Sequence, residues 1–441
     1  MRSKRLTLLT TAAVLALGAA PAAFAQDLRE MYEAARAFDA TFLAAQAQAR
    51  AAEFRNAQAD ALNRPSAALT AGASAGYVNA DGRPGGDSNT LNAALQGRYP
   101  LFNRTNEASI DQARQALALA QAELAAAEQE LIVRVAQAYF DVLAANDTLA
   151  TTRGSKVATA EQLASAKRAF EVGTATITDT REAQARYDLD LAREIAAEND
   201  LRAKRIALET LVGRSAVDPR PLALPAVMPP VLPPDPQAWV GTAEAQHPGI
   251  ARAQAALQIA ALEIDRAKAA ESPTLDAVAS VGAARYSGRY PQGVPGSPTS
   301  TASVGLQFNL PLYTGGATTN RIAETRALED KARNDLAAAR RGVAQGTRVA
   351  FFGVQSGIAQ VKALEAAEAS SKLALQATQL GYKVGVRVNL DVLNAQSQLY
   401  QTQRDLARAR YDVLVGHLRL RLAAGQLAVG DIDAVNSLLV K

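Results

Sequence analysis

From Arg104 to Phe170 the chain reads RTNEASIDQARQALALAQAELAAAEQELIVRVAQAYFDVLAANDTLATTRGSKVATAEQLASAKRAF, without a single proline. Apolar residues return at Ile110, Ala113, Leu117, Ala120, Leu124, Ala127, Leu131, Val135, Ala138 and Val142. The spacings alternate between three and four, and a period near 3.5 is that of a coiled-coil seam. Alanine fills much of the seam; it loses no side-chain entropy in a helix and lets neighbouring helices approach closely. At about 1.5 Å per residue the segment makes a rod of roughly 100 Å, far longer than a globular core can use. A long helix is expected over 104–170, and residues 317–383 repeat the pattern.

The repetition extends well beyond the rods. Phe170-Glu171-Val172-Gly173 matches Tyr382-Lys383-Val384-Gly385 at an offset of 382 − 170 = 212, and Tyr139-Phe140 matches Phe351-Phe352 at the same offset. Upstream, Pro65 corresponds to Pro273 and Pro100 to Pro311, at offsets of 208 and 211 that a few loop insertions explain. A proline-rich stretch from Asp218 to Pro236 separates the halves and admits neither a regular helix nor a central strand. Residues 26–217 and 239–425 therefore read as tandem copies of one unit joined by a linker at 218–238, with a C-terminal segment at 426–441.

Each unit also contains two segments of period two. Leu69, Ala71, Ala73, Ala75 and Tyr77 alternate with small or polar residues, as do Leu91, Ala93, Leu95, Gly97, Tyr99 and Leu101. Leu275 to Ala283 and Ala302 to Leu310 repeat this, so strands are expected at 66–79, 89–101, 274–286 and 300–312, with Pro65, Pro100, Pro273 and Pro311 at the helix–strand junctions. One apolar face and one small, polar face over about ten residues fit a barrel strand between lipid and lumen; amphipathic hairpins of a soluble sandwich would share the pattern. Four strands cannot close a barrel, and open edges are forbidden in lipid. Two chains would supply eight strands and three would supply twelve.

Basic Arg2, Lys4 and Arg5, apolar Leu6–Ala20 and the small-x-small run Ala23-Phe24-Ala25 read as an export signal over 1–25, cleaved between Ala25 and Gln26. No later stretch approaches the length of a membrane helix. A net charge of +4 with both signs interspersed speaks against nucleic-acid binding. The chain has no cysteine and only two histidines, His247 and His417. Disulfides, thiolate ligands and a cysteine nucleophile are excluded, and neither a metal site nor a catalytic triad has a candidate cluster; no cofactor and no enzyme activity are expected.

The duplicated unit and the sequences Phe170-Glu171-Val172-Gly173 with Ile177-Thr178-Asp179, Tyr382 to Arg387, Leu390-Asp391-Val392-Leu393 and Gly305 to Tyr313 resemble the TolC family of outer-membrane efflux proteins, over essentially the whole mature chain. That resemblance implies a mainly α fold with a membrane β-barrel: a homotrimer whose twelve-stranded barrel continues into a twelve-helix periplasmic tunnel, with the linker and C-terminal segment forming an equatorial belt. It implies a passive duct docked to a periplasmic adaptor and an inner-membrane ABC, RND or MFS transporter, serving type I secretion or multidrug efflux. A soluble periplasmic coiled-coil scaffold is the alternative of another class.

The same resemblance places gate links between Thr178 and Asp179 on one hairpin and Tyr382 and Arg387 on the other. It places adaptor docking at Val172, Gly173, Val384 and Gly385, and an acidic ring at Asp391. Family members carry a second carboxylate where this chain has Asn394, which leaves one ring here. Local structure offers plainer roles: the glycines as helix caps, Asp179 with Glu182 as a capping box, and Asp391 as a first-turn carboxylate.

Overall fold

Alanine-rich helices need close neighbours to bury their narrow seams, and the fold supplies them lengthwise. The computed structural model describes residues 26–80, 83–289 and 298–440; the expected export signal with Ala25, and parts of both hairpin loops, lie outside these. In chain order the elements are α1 (Leu28–Phe38), α2 (Ala40–Asp60), β1 (Ser66–Ala80), β2 (Arg83–Phe102), α3 (Arg104–Glu171) and α4 (Ile177–Val212). The second half runs α5 (Pro236–Gln246), α6 (Pro248–Ala269), β3 (Thr274–Gly288), β4 (Pro298–Asn309), α7 (Ala317–Lys383) and α8 (Asn389–Ala423), followed by α9 (Val429–Asn436). α3 and α7 are 68 and 67 residues long, rods of about 100 Å each.

Asn103 starts α3, its side chain accepting from the N–H groups of Thr105 and Asn106 at 3.0 and 3.2 Å. α2 and α4 pack along α3, α6 lies between α3 and α7, and α8 touches both rods. Of the seam, Ile110, Ala120, Leu131, Val135 and Val142 are buried, while Ala113, Leu117, Leu124, Ala127 and Ala138 are partly so.

The strands form one antiparallel sheet in the order β1-β2-β3-β4. β2 is longer than the 89–101 expected, and Pro100 lies within it beside a register shift, where a missing N–H is tolerated. β4 stops at Asn309 rather than 312, and Pro311 lies in the junction between β4 and α7. Leu69, Leu95, Val281 and Ala302 form one row across the apolar face, and Ala68, Gln96, Ser280 and Ser303 a row across the other. Along β3, Val281, Ala283 and Arg285 are exposed while Gly282, Ala284 and Tyr286 are half-buried, so the sheet curls with its small, polar side concave. Among the described residues no layer covers the apolar side: every residue of β4 is exposed, Val304 by 90%. Arg98 and Asp276 pair at 2.7 Å on the concave side near the helical end.

The largest core surrounds the middle of α3. Leu131, Ile132, Val135, Tyr139 and Phe140 meet Leu28, Met31 and Tyr32 of α1, Leu208 of α4, and Leu414 and Leu418 of α8. Linker and tail enter the same core through Leu222, Ile432 and Leu439. Gln26 bridges to Pro219 and Leu222 to Leu439, and the Tyr139 hydroxyl donates to the carbonyls of Gln26 and Arg220. Proline-rich backbone that cannot make a helix is thus held against the middle of α3. The equivalent aromatic pair on α7 has a smaller setting, Phe351 with Trp239, Val354, Leu420 and Ala424.

Candidate functional site

Each long helix ends in the same turn. At the end of α3, Gly173 N–H donates to Phe170 O (3.0 Å) and Thr174 N–H to Ala169 O (2.8 Å). At the end of α7, Gly385 N–H donates to Tyr382 O (3.1 Å) and Val386 N–H to Gly381 O (2.9 Å). These are paired Schellman closures, and they require the left-handed backbone of Gly173 (φ 78°) and Gly385 (φ 80°). Neither glycine has another group within 4 Å of where a Cβ would stand, and Val172 and Val384 beside them are exposed. The tips are two identical turns that present valines to solvent.

The helices leaving the tips start differently from the sequence expectation. Asp179 forms its capping box with Thr176, not with Glu182: Asp179 N–H donates to Thr176 Oγ1, and Thr176 N–H donates to the Asp179 carboxylate at 2.9 Å. Asp391 occupies the matching third position of α8; it receives Val388 N–H at 3.4 Å, and Arg387 lies 3.7 Å from its carboxylate. Among the described residues, no hydrogen bond or ion pair joins Thr178 or Asp179 to Tyr382 or Arg387 within one chain.

What joins the two hairpins instead is a set of polar side chains of which the sequence singled out only Asn394. Asn389, the first residue of α8, is 1% exposed; its Oδ1 accepts from Gln162 Nε2 of α3 at 2.5 Å. Its Nδ2 donates to the backbone carbonyl of Asp179 at 3.2 Å. Arg186 of α4 donates to Asn394 Oδ1 at 3.0 Å. Leu393 lies below them in an apolar nest of Leu163, Ala166, Ala183 and Tyr187. The one available signal was a break in the repeat, since Asn389 stands where the first half has Ile177.

Higher up, buried Asp190 receives Ser155 Oγ and Thr159 Oγ1 at 2.9 and 2.8 Å and Arg193 at 3.1 Å. Tyr411 donates to Asp147 at 2.6 Å, and burial outweighs that bond to hold the Asp147 carboxyl above its usual range. Tyr411, with Asp141, Lys204 and Arg404, also lines a cleft of about 420 Å³. The two imidazoles are structural. His247 caps α6 by accepting Gly249 N–H at 3.0 Å, and His417 donates to Pro229 O at 2.9 Å; burial lowers the pKa of both. Among the described residues no group of three His, Cys, Asp or Glu could hold a metal, and no helix is long and apolar enough to cross a membrane. Polar links, exposed valines and carboxylates at a tip can dock and gate.

The family model described as outer membrane efflux protein matches residues 31–214 and 239–426. The chain is 32% identical over 439 residues to the outer membrane protein TolC of Vibrio cholerae, covering 98% of each. It is 34% identical over 315 residues to the alkaline protease secretion protein AprF of Pseudomonas aeruginosa, covering 70% of this chain and 64% of that one. Its fold is similar to that of the outer membrane protein VceC of Vibrio cholerae, with a TM-score of 0.77 at 21% identity over 90% of this chain and 96% of that one.

Proposed function

The chain belongs to the outer membrane efflux protein family, and from that premise we propose that three copies close one continuous duct from the periplasm to the outside. It is an outer-membrane protein and an exit duct for secreted proteins or drugs. One observation carries the trimeric reading: a four-stranded sheet, apolar on its convex side, with the outer edges of β1 and β4 unpaired in the protomer. In lipid such edges must pair, and three copies give a twelve-stranded barrel of common size. A soluble scaffold would have no use for an uncovered apolar sheet face.

The rods α3 and α7 with their partner helices then line a twelve-helix periplasmic tunnel, and the linker and tail form its equatorial collar. Val172, Gly173, Val384 and Gly385 dock a periplasmic adaptor, and an inner-membrane ABC, RND or MFS pump supplies the energy. The duct itself catalyses nothing. Thr178 and Asp179 face Tyr382 and Arg387 across neighbouring copies, which accounts for the missing bonds inside one chain. Asp391 rings the constriction. Relatives carry names of both kinds, a protease secretion protein and an efflux protein among them, so the pump sets the cargo.

Fractionation and cross-linking test this together. The protein is expected in the outer membrane, and cross-linking in detergent is expected to stop at three chains. A ceiling at two chains would mean an eight-stranded barrel and overturn the trimer.

A further inference from the structure

We propose that Asn389 is a latch inside each protomer, fastening the α7–α8 hairpin to the α3–α4 hairpin and so holding the entrance residues in their closed positions. This rests on the entrance reading above. Asn389 opens α8, seven residues after Tyr382, two after Arg387 and two before Asp391. Its position therefore sets where those side chains stand relative to Thr178 and Asp179.

The amide is held at both ends. Gln162 Nε2 reaches its Oδ1 from α3 at 2.5 Å, and its own Nδ2 reaches the Asp179 carbonyl at the start of α4 at 3.2 Å. One buried side chain thus ties α8 to both helices of the other hairpin, at the residue whose side chain also caps α4. A buried amide is tolerated only while its partners are present, so the closed arrangement is specified narrowly. Both bonds are neutral, and water replaces neutral bonds at small net cost. An apolar side chain in the same place would resist separation; an amide releases into water. Ile177 shows the contrast, since the corresponding position in the first half is apolar and lies exposed instead.

Planar-bilayer recordings of the intact trimer test this, using Gln162→Ala, Asn389→Ala and the double variant. Loss of one neutral bond shifts a two-state equilibrium by a factor of about five. Gln162→Ala is expected to raise the open fraction by about that factor. Asn389→Ala should raise it further, and the double variant no further than Asn389→Ala, because the Gln162 bond is shared. A purely structural amide would lower thermal stability and leave conductance alone, and that result, or additive effects of the two single variants, overturns the latch. If Asn389→Ala fails to assemble, Gln162→Ala on its half-buried side chain decides the question alone. Tyr382→Phe with Arg387→Ser is recorded in parallel. If that pair opens the channel while Gln162→Ala does not, the latch falls and the entrance reading stands; if neither opens it, both fall.

Discussion

Gly173 and Gly385 close their helices with the same two bonds and nearly the same φ, yet the helices that follow begin in different surroundings. Ile177, first in α4, is 48% exposed, whereas Asn389, first in α8, is 1% exposed. Four residues on, Arg181 is exposed and Leu393 is sealed among Leu163, Ala166 and Ala183. Duplication copies what is local, because a Schellman closure needs only a glycine and its own helix. It does not copy packing, because each hairpin has a different neighbour. The α7–α8 tip leans on α3 and α4 of its own chain. The α3–α4 hairpin receives that contact on one side only, and Ile177, Leu189 and Ile195 stay exposed. A ring of copies would give it the next protomer's α7–α8 hairpin to face.

The largest effect is expected where two copies meet. Tyr382→Phe with Arg387→Ser removes polar links that are each worth about 1.5–3 kcal/mol and are repeated by symmetry. Single-channel conductance should rise several-fold while the trimer survives in detergent. Unchanged conductance would mean that the first tip has no partner across the interface, and the comparison would lose its explanation. The next effect lies inside the protomer. Leu393→Ala should cost about 2–4 kcal/mol, because it empties a buried nest, whereas its repeat mate Arg181→Ala should stay within about 0.5 kcal/mol. Thermal unfolding of both variants measures the asymmetry, and equal losses would break it.

The long helices, the duplication, the strand faces and the glycine caps were legible because each depends on periodicity or on a backbone rule within a few residues. The loop end of β2 was less legible: the strand begins at Arg83, ahead of the expected 89, while its other end, expected at 101, runs on to Phe102 beside a register shift. Asp179 was legible as a capping residue, but its partner was not, because only the observed start of α4 decides between Thr176 and Glu182. The bonds made by Asn389, Gln162 and Arg186 were invisible for a different reason. They span more than 200 positions, and nothing in the spacing around these residues records the partner. The packing of the linker is a similar case: a proline-rich stretch announces only what it cannot be.

Asp391 and Asp179 hold the same third position in their helices, and their roles separate only by charge. If Asp391 rings the constriction, three carboxylates act together within low-dielectric walls. A closed channel should then favour cations and be blocked by multivalent cations from the periplasmic side. Asp391→Asn should abolish most of both effects, since Asn394 offers no second ring. Asp179→Asn should leave selectivity unchanged. Bilayer recordings at equal salt compare the two, and an unaltered cation preference in Asp391→Asn would make Asp391 a simple first-turn carboxylate.

The smallest expected effect carries the comparison to the other end of the repeat, where Asp39 caps α2 and His247, 208 positions on, caps α6. The local job is the same and the chemistry is not. Burial works against the Asp39 carboxylate, but hydrogen bonds from Arg134 and Phe42 N–H prevail and hold its pKa below the usual range. Its contribution to stability is full above the unfolded carboxylate value and is lost only as pH falls through the lowered folded one. His247 must be neutral to accept Gly249 N–H, and burial holds it below its ordinary 6.5. The unfolded imidazole therefore binds a proton first, so this cap's contribution is complete above about pH 6.5 and declines as pH falls through the folded value. His417, also lowered by burial, adds to the same slope. Thermal midpoints should accordingly dip between pH 7 and 5, well before the Asp39 contribution is touched. His247→Asn keeps a good neutral cap and should flatten part of that dip, whereas His247→Ala should lose about 1 kcal/mol at pH 7.5. A dip of the same size in His247→Asn would assign the whole slope to His417 and leave the two caps equivalent.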